Sequence, residues 1–190
     1  ACEYYIPNRL SEGYGLTRQA MEELYRRGTR LMITVDSGIT ANEEIAFARE
    51  LGMKVVITDH HECHDDLPEA EAVIDCKQAG DTYPFDSLAG VGVAFKLICA
   101  LSGDPDAMLD RYADLVALGT VADVMAIVGE NRILVAEGLR CMEHTHNIGL
   151  QRLLAESGMA DRHLTASTIS FVLAPRINAA GRMGKADLAA

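Results

Sequence analysis

The stretches Arg30-Leu31-Met32-Ile33-Thr34-Val35-Asp36-Ser37-Gly38 and Lys54-Val55-Val56-Ile57-Thr58-Asp59-His60-His61 decide the fold. Each is a short apolar run rich in β-branched residues, as strands are, and each ends in a carboxylate. Between them Ala41 to Leu51 reads as a helix, opened by a Thr40-x-x-Glu43 capping box and closed by Gly52. Strand, helix and strand in that order make a βαβ unit, whose right-handed crossover sets the two strands parallel. Asp36 and the Asp59-His60-His61 triplet therefore fall on one edge of the sheet, where open α/β sheets bind their ligands.

The same alternation extends in both directions. Glu3 to Pro7 reads as a strand, Asn8 to Gly15 as a polar loop, and Thr17 to Arg27 as an amphipathic helix with Ala20, Met21, Leu24 and Tyr25 on one face. Ala72-Val73-Ile74 follows the triplet as another short strand. This order predicts an α/β fold with a doubly wound, mainly parallel sheet. From Leu88 the pattern turns helical, over Gly90–Leu101, Pro105–Leu118, Arg132–Met142, Ile148–Glu156 and Thr165–Leu173. The expected division is an α/β part over 1–87 and a helical half of the same domain over 88–190.

Bulk composition sets outer limits. The chain has 190 residues, of which 49% are hydrophobic, enough for a sizeable core. No apolar run approaches the roughly 20 residues that a membrane span needs, and no signal peptide is visible. Five scattered cysteines without CxxC spacing favour reduced thiols, and with them a cytoplasmic protein, over a disulfide framework. The net charge of −11 argues against a protein that coats nucleic acid. That charge is uneven: the segment from Arg152 onward is +2 and the body before it −13. An acidic body beside a mildly basic segment fits a metal-dependent phosphoesterase, although a solvated acidic surface accounts for most of these charges under any function.

Asp36, in Val-Asp-Ser-Gly-Ile, taken alone reads as a turn aspartate that caps the next helix. Paired with the triplet one βαβ unit later, it reads as a metal ligand, because carboxylate and imidazole donors at one sheet edge suit a divalent ion and phosphate chemistry. His60 and His61 are adjacent and diverge, so one can ligate metal while the other faces substrate. Cys63 and His64 do not extend this into a zinc site, since the spacing matches no common tetrahedral pattern. Asp123, in Leu118-Gly119-Thr120-Val121-Ala122-Asp123-Val124-Met125, follows a Gly-Thr expected to break the preceding helix and is semi-buried by pattern. A metal or a helix N-cap would serve it equally well. Gly90-Val91-Gly92 lacks the third glycine of a dinucleotide fingerprint and reads as close helix packing near the cleft. Pro175-Arg176-Ile177-Asn178-Ala179-Ala180-Gly181-Arg182-Met183 offers small residues and arginine forks to a phosphate, or a turn between helices with solvated arginines.

Together these segments resemble the DHH phosphoesterase superfamily and, within it, the RecJ single-stranded-DNA exonucleases. The resemblance covers nearly the whole chain. It rests on Tyr5-Ile6-Pro7-Asn8-Arg9, Gly13-Tyr14-Gly15-Leu16, Thr34-Val35-Asp36-Ser37-Gly38-Ile39, Thr58-Asp59-His60-His61, Leu88-Ala89-Gly90-Val91-Gly92-Val93-Ala94, Leu118-Gly119-Thr120-Val121-Ala122-Asp123-Val124 and Pro175–Arg182. The triplet indicates the superfamily, and the last three segments in this order point to RecJ.

The resemblance implies a Rossmann-like DHH domain in which two divalent ions, Mn or Mg, activate water against a phosphodiester. Matched motif by motif, Asp36 is the ligand shared between the ions, and His60 and Asp123 complete one site. The catalytic pair is His61, at the scissile phosphate or the leaving oxygen, and Asp59, which orients the ligands by hydrogen bonds. Arg176, Asn178 and Arg182 lie near the nucleic-acid path. The implied function is 5′-to-3′ exonuclease action on single-stranded DNA in repair and recombination, in company with a single-stranded-DNA-binding protein and a helicase. The family's first motif, a strand ending in Asp-x-Asp, is expected before Tyr4, and a DHH-associated domain after the helical half. The 190 residues are thus expected to be an incomplete core, inactive by itself. Two rival readings share the scaffold: a phosphodiesterase for oligoribonucleotides or cyclic dinucleotides, and a non-catalytic replication scaffold. Arg176 and Asn178 argue against the first, and the intact Asp36, Asp59, His60, His61 and Asp123 against the second.

Overall fold

The computed structural model describes residues 2–7, 12, 13 and 15–183. Its elements run α1 (Arg18–Arg26), β1 (Leu31–Val35), α2 (Asn42–Glu50), β2 (Lys54–Thr58), β3 (Ala72–Ile74), α3 (Gly90–Ser102), α4 (Pro105–Ala122), α5 (Gly129–Met142), α6 (Ile148–Glu156), α7 (Ala166–Thr168), a π-helical turn (Ile169–Leu173) and α8 (Ala174–Arg182). The three strands form a parallel sheet in the order β1-β2-β3. Backbone contacts divide the chain into one unit over 14–94 and another over 1–13 with 95–190.

In the first unit, Met32 of β1 and Val55 and Ile57 of β2 point to one face of the sheet. There they pack with Met21 of α1 and Ile45 and Ala48 of α2. Alternation along β1 leaves Leu31, Ile33 and Val35 exposed on the other face. Thr17 caps α1 by accepting the Ala20 N–H at 3.2 Å. In the second unit, Ala117, Val121, Val135, Met142, Leu154, Leu164, Ile169 and Leu173 form the core. Buried Asp114 of α4 accepts from the Thr145 hydroxyl, which ties down the turn after α5.

The α/β class and the parallel βαβ unit stand as expected; four local expectations do not. Residues 3–7 adopt no strand, having no ladder partner among the described residues, and a strand without a partner leaves its backbone groups unpaired. The expected loop over 8–15 lies mostly outside the described residues. Thr40 does not cap α2; the N-cap is Ala41, without a side-chain bond. The Ala41 N–H donates to Gly38 O at 3.1 Å, and this turn moves the helix start one residue on. Gly119-Thr120 does not break α4, which continues to Ala122 because Thr120 and Val121 are buried there. A mid-helix glycine costs only about 1 kcal/mol, which such burial offsets. The stop comes instead from Val124, in the left-handed region at φ 58. Residues 175–182 form helix α8, not a turn. Pro175 has no N–H to give the carbonyl one turn back, so the preceding helix widens into its π turn. The Arg176 guanidinium donates to the Val172 carbonyl of that turn at 2.6 Å.

Candidate metal centre

Asp36 sits where β1 ends, its N–H still donating to Thr58 O at 3.0 Å. Its backbone then turns into the left-handed region at φ 58. A non-glycine residue there is uncommon, aspartate and asparagine being the usual exceptions, and such residues cluster at functional sites. The turn carries the side chain toward β2, where Asp36 Oδ1 lies 3.0 Å from His60 Nε2. His60 is buried, and the His61 ring lies 4.5 Å from it, centroid to centroid. Asp36, His60 and His61 each present a ligand atom within 4.8 Å of the others.

Asp59 holds the two histidines from behind. It is 1% exposed. Its Oδ1 accepts the N–H of His60 at 2.8 Å and of His61 at 3.3 Å, and meets His61 Nδ1 at 2.6 Å. Its Oδ2 accepts the Ile39 N–H at 2.9 Å. Gly38 makes this reach possible: its φ is 113, and a Cβ there would stand 2.9 Å from Thr34 Oγ1. Burial pushes the Asp59 carboxyl up, but the Ile39 N–H, His61 and the His60 and His61 N–H groups together hold it below its usual 3.8.

A carboxyl depressed on folding lends stability above its unfolded value, and the protein loses that stability as pH falls through the lower folded value. Asp59→Asn is therefore expected to cost about 1.5–3 kcal/mol at pH 7, the worth of hydrogen bonds to a charged group. The gap to the wild type should close as pH drops below 3.8. Urea unfolding of both proteins across that range measures it; a gap independent of pH would show that the charge is immaterial. Asp75, whose carboxyl is pushed up first by burial and also by the charge of Asp59, is relieved of that charge in the variant, which offsets part of the cost at pH 7.

Gly90, the first residue of α3, backs onto Asp36. A Cβ built on it would stand 2.4 Å from Asp36 Oδ1 and 2.6 Å from Asp36 Cβ. The glycine-rich segment is thus close packing, as its sequence implies, and what it packs on is the candidate ligand. Gly90→Ala must displace the carboxylate. We expect it to weaken Mn2+ binding by about 10–100-fold, as loss of a group supporting a ligand does, with helix content unchanged by circular dichroism. Titration calorimetry reads this, and unchanged affinity would place the ion elsewhere.

Cys63 and His64 stand outside the metal-competent group found among the described residues. Burial first, then the charges of Asp75, Glu62 and Asp59, push the Cys63 thiol up, away from the thiolate a metal would take. Asp123 belongs to the second unit. It is exposed rather than semi-buried, and it is the C-cap of α4, not an N-cap. The strained Val124 follows it directly. Arg176, Asn178 and Arg182 are exposed on α8 in that same unit. The buried Asp75 had no mark in the sequence pattern, and the left-handed turn at Asp36 left only the Ser-Gly that follows it as a trace.

A family model described as the DHH family, N-terminal domain, matches residues 1–120. The chain is 47% identical over 185 residues to the single-stranded-DNA-specific exonuclease RecJ of Bacillus subtilis strain 168, a match covering 97% of this chain and 23% of that protein. Its backbone is similar to a crystal structure of exonuclease RecJ bound to manganese, with a TM-score of 0.83 and 37% identity over 97% of this chain and 46% of that one. RecJ from Thermus thermophilus in complex with Mn2+ gives a TM-score of 0.75 and 34% identity over 91% of this chain and 26% of that one. The chain spans about a quarter of the length of the Bacillus subtilis relative.

Proposed function

The chain belongs to the DHH family, and on that premise we propose that it is the metal-binding core of a divalent-metal-dependent, single-stranded-DNA exonuclease. The supporting observation is the approach of Asp36 Oδ1 to His60 Nε2 at 3.0 Å. Two donor atoms each about 2.1 Å from one ion and at right angles lie about 3.0 Å apart. Carboxylate and imidazole together suit Mn or Mg bound with waters. Asp36 and His60 would hold the ion, and Asp123 is proposed as a further ligand. Two such ions, when bound, supply a nucleophile at neutral pH and charge stabilisation for a phosphoryl centre.

The chain's own residues do the rest. Asp59 fixes His61 through Nδ1, which leaves Nε2 as the ring atom that would face substrate. From there His61 would contact the scissile phosphate or protonate the leaving oxygen. Arg176, Asn178 and Arg182 would guide the DNA backbone, the two arginines through charge-assisted bonds. Among the described residues no helix is long and apolar enough to cross a membrane. We place the protein in the cytoplasm, working 5′ to 3′ in repair and recombination beside a helicase and a single-stranded-DNA-binding protein.

The test uses the whole protein and end-labelled substrates. Mn-dependent release of mononucleotides from single-stranded DNA, beginning at a 5′ label, is the expected result. Preference for short oligoribonucleotides or cyclic dinucleotides would move the protein to another branch of the family. No hydrolysis of any of these would make it a scaffold.

A further inference from the structure

A third aspartate stands at the same sheet edge. Asp36 follows β1, Asp59 follows β2 and Asp75 follows β3. Thr58 is in register with Ile74, and the Asp59 N–H donates to Ile74 O at 3.0 Å, so Asp75 lies beside Asp59 across the β2–β3 pair. Asp75 is 2% exposed. Its Oδ1 accepts the Lys77 N–H at 2.8 Å, but its Oδ2 is buried without a hydrogen-bond partner among the described residues. The turn at Lys77 uses one oxygen only and leaves the other unexplained. A buried carboxylate oxygen is costly to leave unsatisfied, so an orphaned one points to a ligand or a partner that forms when the site is loaded. The charges of Asp59 and His60 both act on this group.

His60, next to Asp59 in sequence, is the candidate donor. Its Nε2 is turned to Asp36, which lies on the β1 side of β2, whereas Asp75 lies on the β3 side. A neutral imidazole that gives Nε2 to a metal carries its proton on Nδ1, and His60 Nδ1 is buried. Metal-bound histidines regularly donate that second N–H to a carboxylate, which fixes tautomer and ring orientation and raises the basicity of the ligating nitrogen. We propose that Asp75 is the positioning residue for His60: in the metal-loaded protein its Oδ2 accepts the His60 Nδ1–H, directly or through one water, and so sets the ring for metal. The inference rests on the reading of Asp36 and His60 as metal ligands.

Asp75→Asn is the clean substitution. It keeps the shape and the Lys77 bond through Oδ1, and it puts an amide donor where Oδ2 stood, facing another donor. In the whole protein, Mn2+ affinity by titration calorimetry should fall about 10–100-fold, with the thermal unfolding of the metal-free protein little changed. A second measurement needs no variant. With 15N-histidine labelling and diamagnetic Mg2+ bound, His60 should show a slowly exchanging Nδ1–H and no proton on Nε2, a signature that a merely structural Asp75 would not produce. Wild-type Mn2+ affinity in Asp75→Asn, or a His60 proton on Nε2 in the loaded wild type, overturns the proposal. The two readings fail differently. If Asp36→Asn leaves Mn2+ binding intact, the metal centre itself is misplaced and both fall; if Asp36→Asn abolishes binding while Asp75→Asn does not, only the role of Asp75 falls.

Discussion

Asp36→Asn in the whole protein is expected to reduce nucleotide release from single-stranded DNA by about 10³-fold or more, the scale of losing a preorganised charge at a phosphoryl centre. Asparagine is the informative replacement. Asp36 holds φ 58, a conformation asparagine tolerates and alanine resists. Its amide also fits the space between His60 and Gly90 that the carboxylate fills. The variant should therefore fold normally and lack only the charge. Because Asp36 is proposed to serve both ions, raising Mn2+ should not restore activity, whereas loss of a ligand to one ion alone would be partly rescued. Cleavage assays across a Mn2+ titration decide this; activity within about tenfold of wild type would remove Asp36 from the metal shell.

His61→Ala should separate chemistry from metal binding. His61 Nδ1 is committed to Asp59 Oδ1 at 2.6 Å, which fixes the ring and leaves Nε2 as the nitrogen for other contacts. If Nε2 meets the phosphate or the leaving oxygen, its loss slows the chemical step by about 10²–10⁴-fold, the usual worth of a positioned acid or base. Mn2+ affinity should stay within a few-fold of wild type. The geometry also admits the opposite result, since His61 stands within 4.8 Å of the Asp36 and His60 ligand atoms. Loss of Mn2+ binding equal to that of Asp36→Asn would make His61 a ligand and leave the proton-transfer role to another group.

The core of the fold was legible because its signal is local. Both long strands begin and end within one residue of the expected positions, since β-branched runs bounded by turn residues say where a strand lies. The placement of Asp36 and the triplet on one edge of the sheet followed from topology: a right-handed βαβ crossover sets the two strands parallel, so their ends share that edge. What the sequence concealed depends on contacts between distant residues. The Ile39 N–H, spoken for by Asp59, and the turn at Gly38 override the Thr40 capping signal. Burial of Thr120 and Val121 overrides a Gly-Thr breaker. Asp75 does not stand out in the sequence because nothing in its neighbours says that β3 pairs with β2 in the register that sets it beside Asp59. Residues 3–7 read as a strand on pattern, but a strand exists only with a partner to bond.

The central claim is that Asp36 and His60 share one divalent ion. Crystals of the whole protein soaked in Mn2+ test it through anomalous scattering at an energy where manganese dominates. The account predicts an anomalous peak about 2.0–2.3 Å from both an Asp36 carboxylate oxygen and His60 Nε2, bond lengths usual for such ligands. A manganese peak elsewhere, with Asp36 and His60 still paired to each other and bound to no ion, would contradict it.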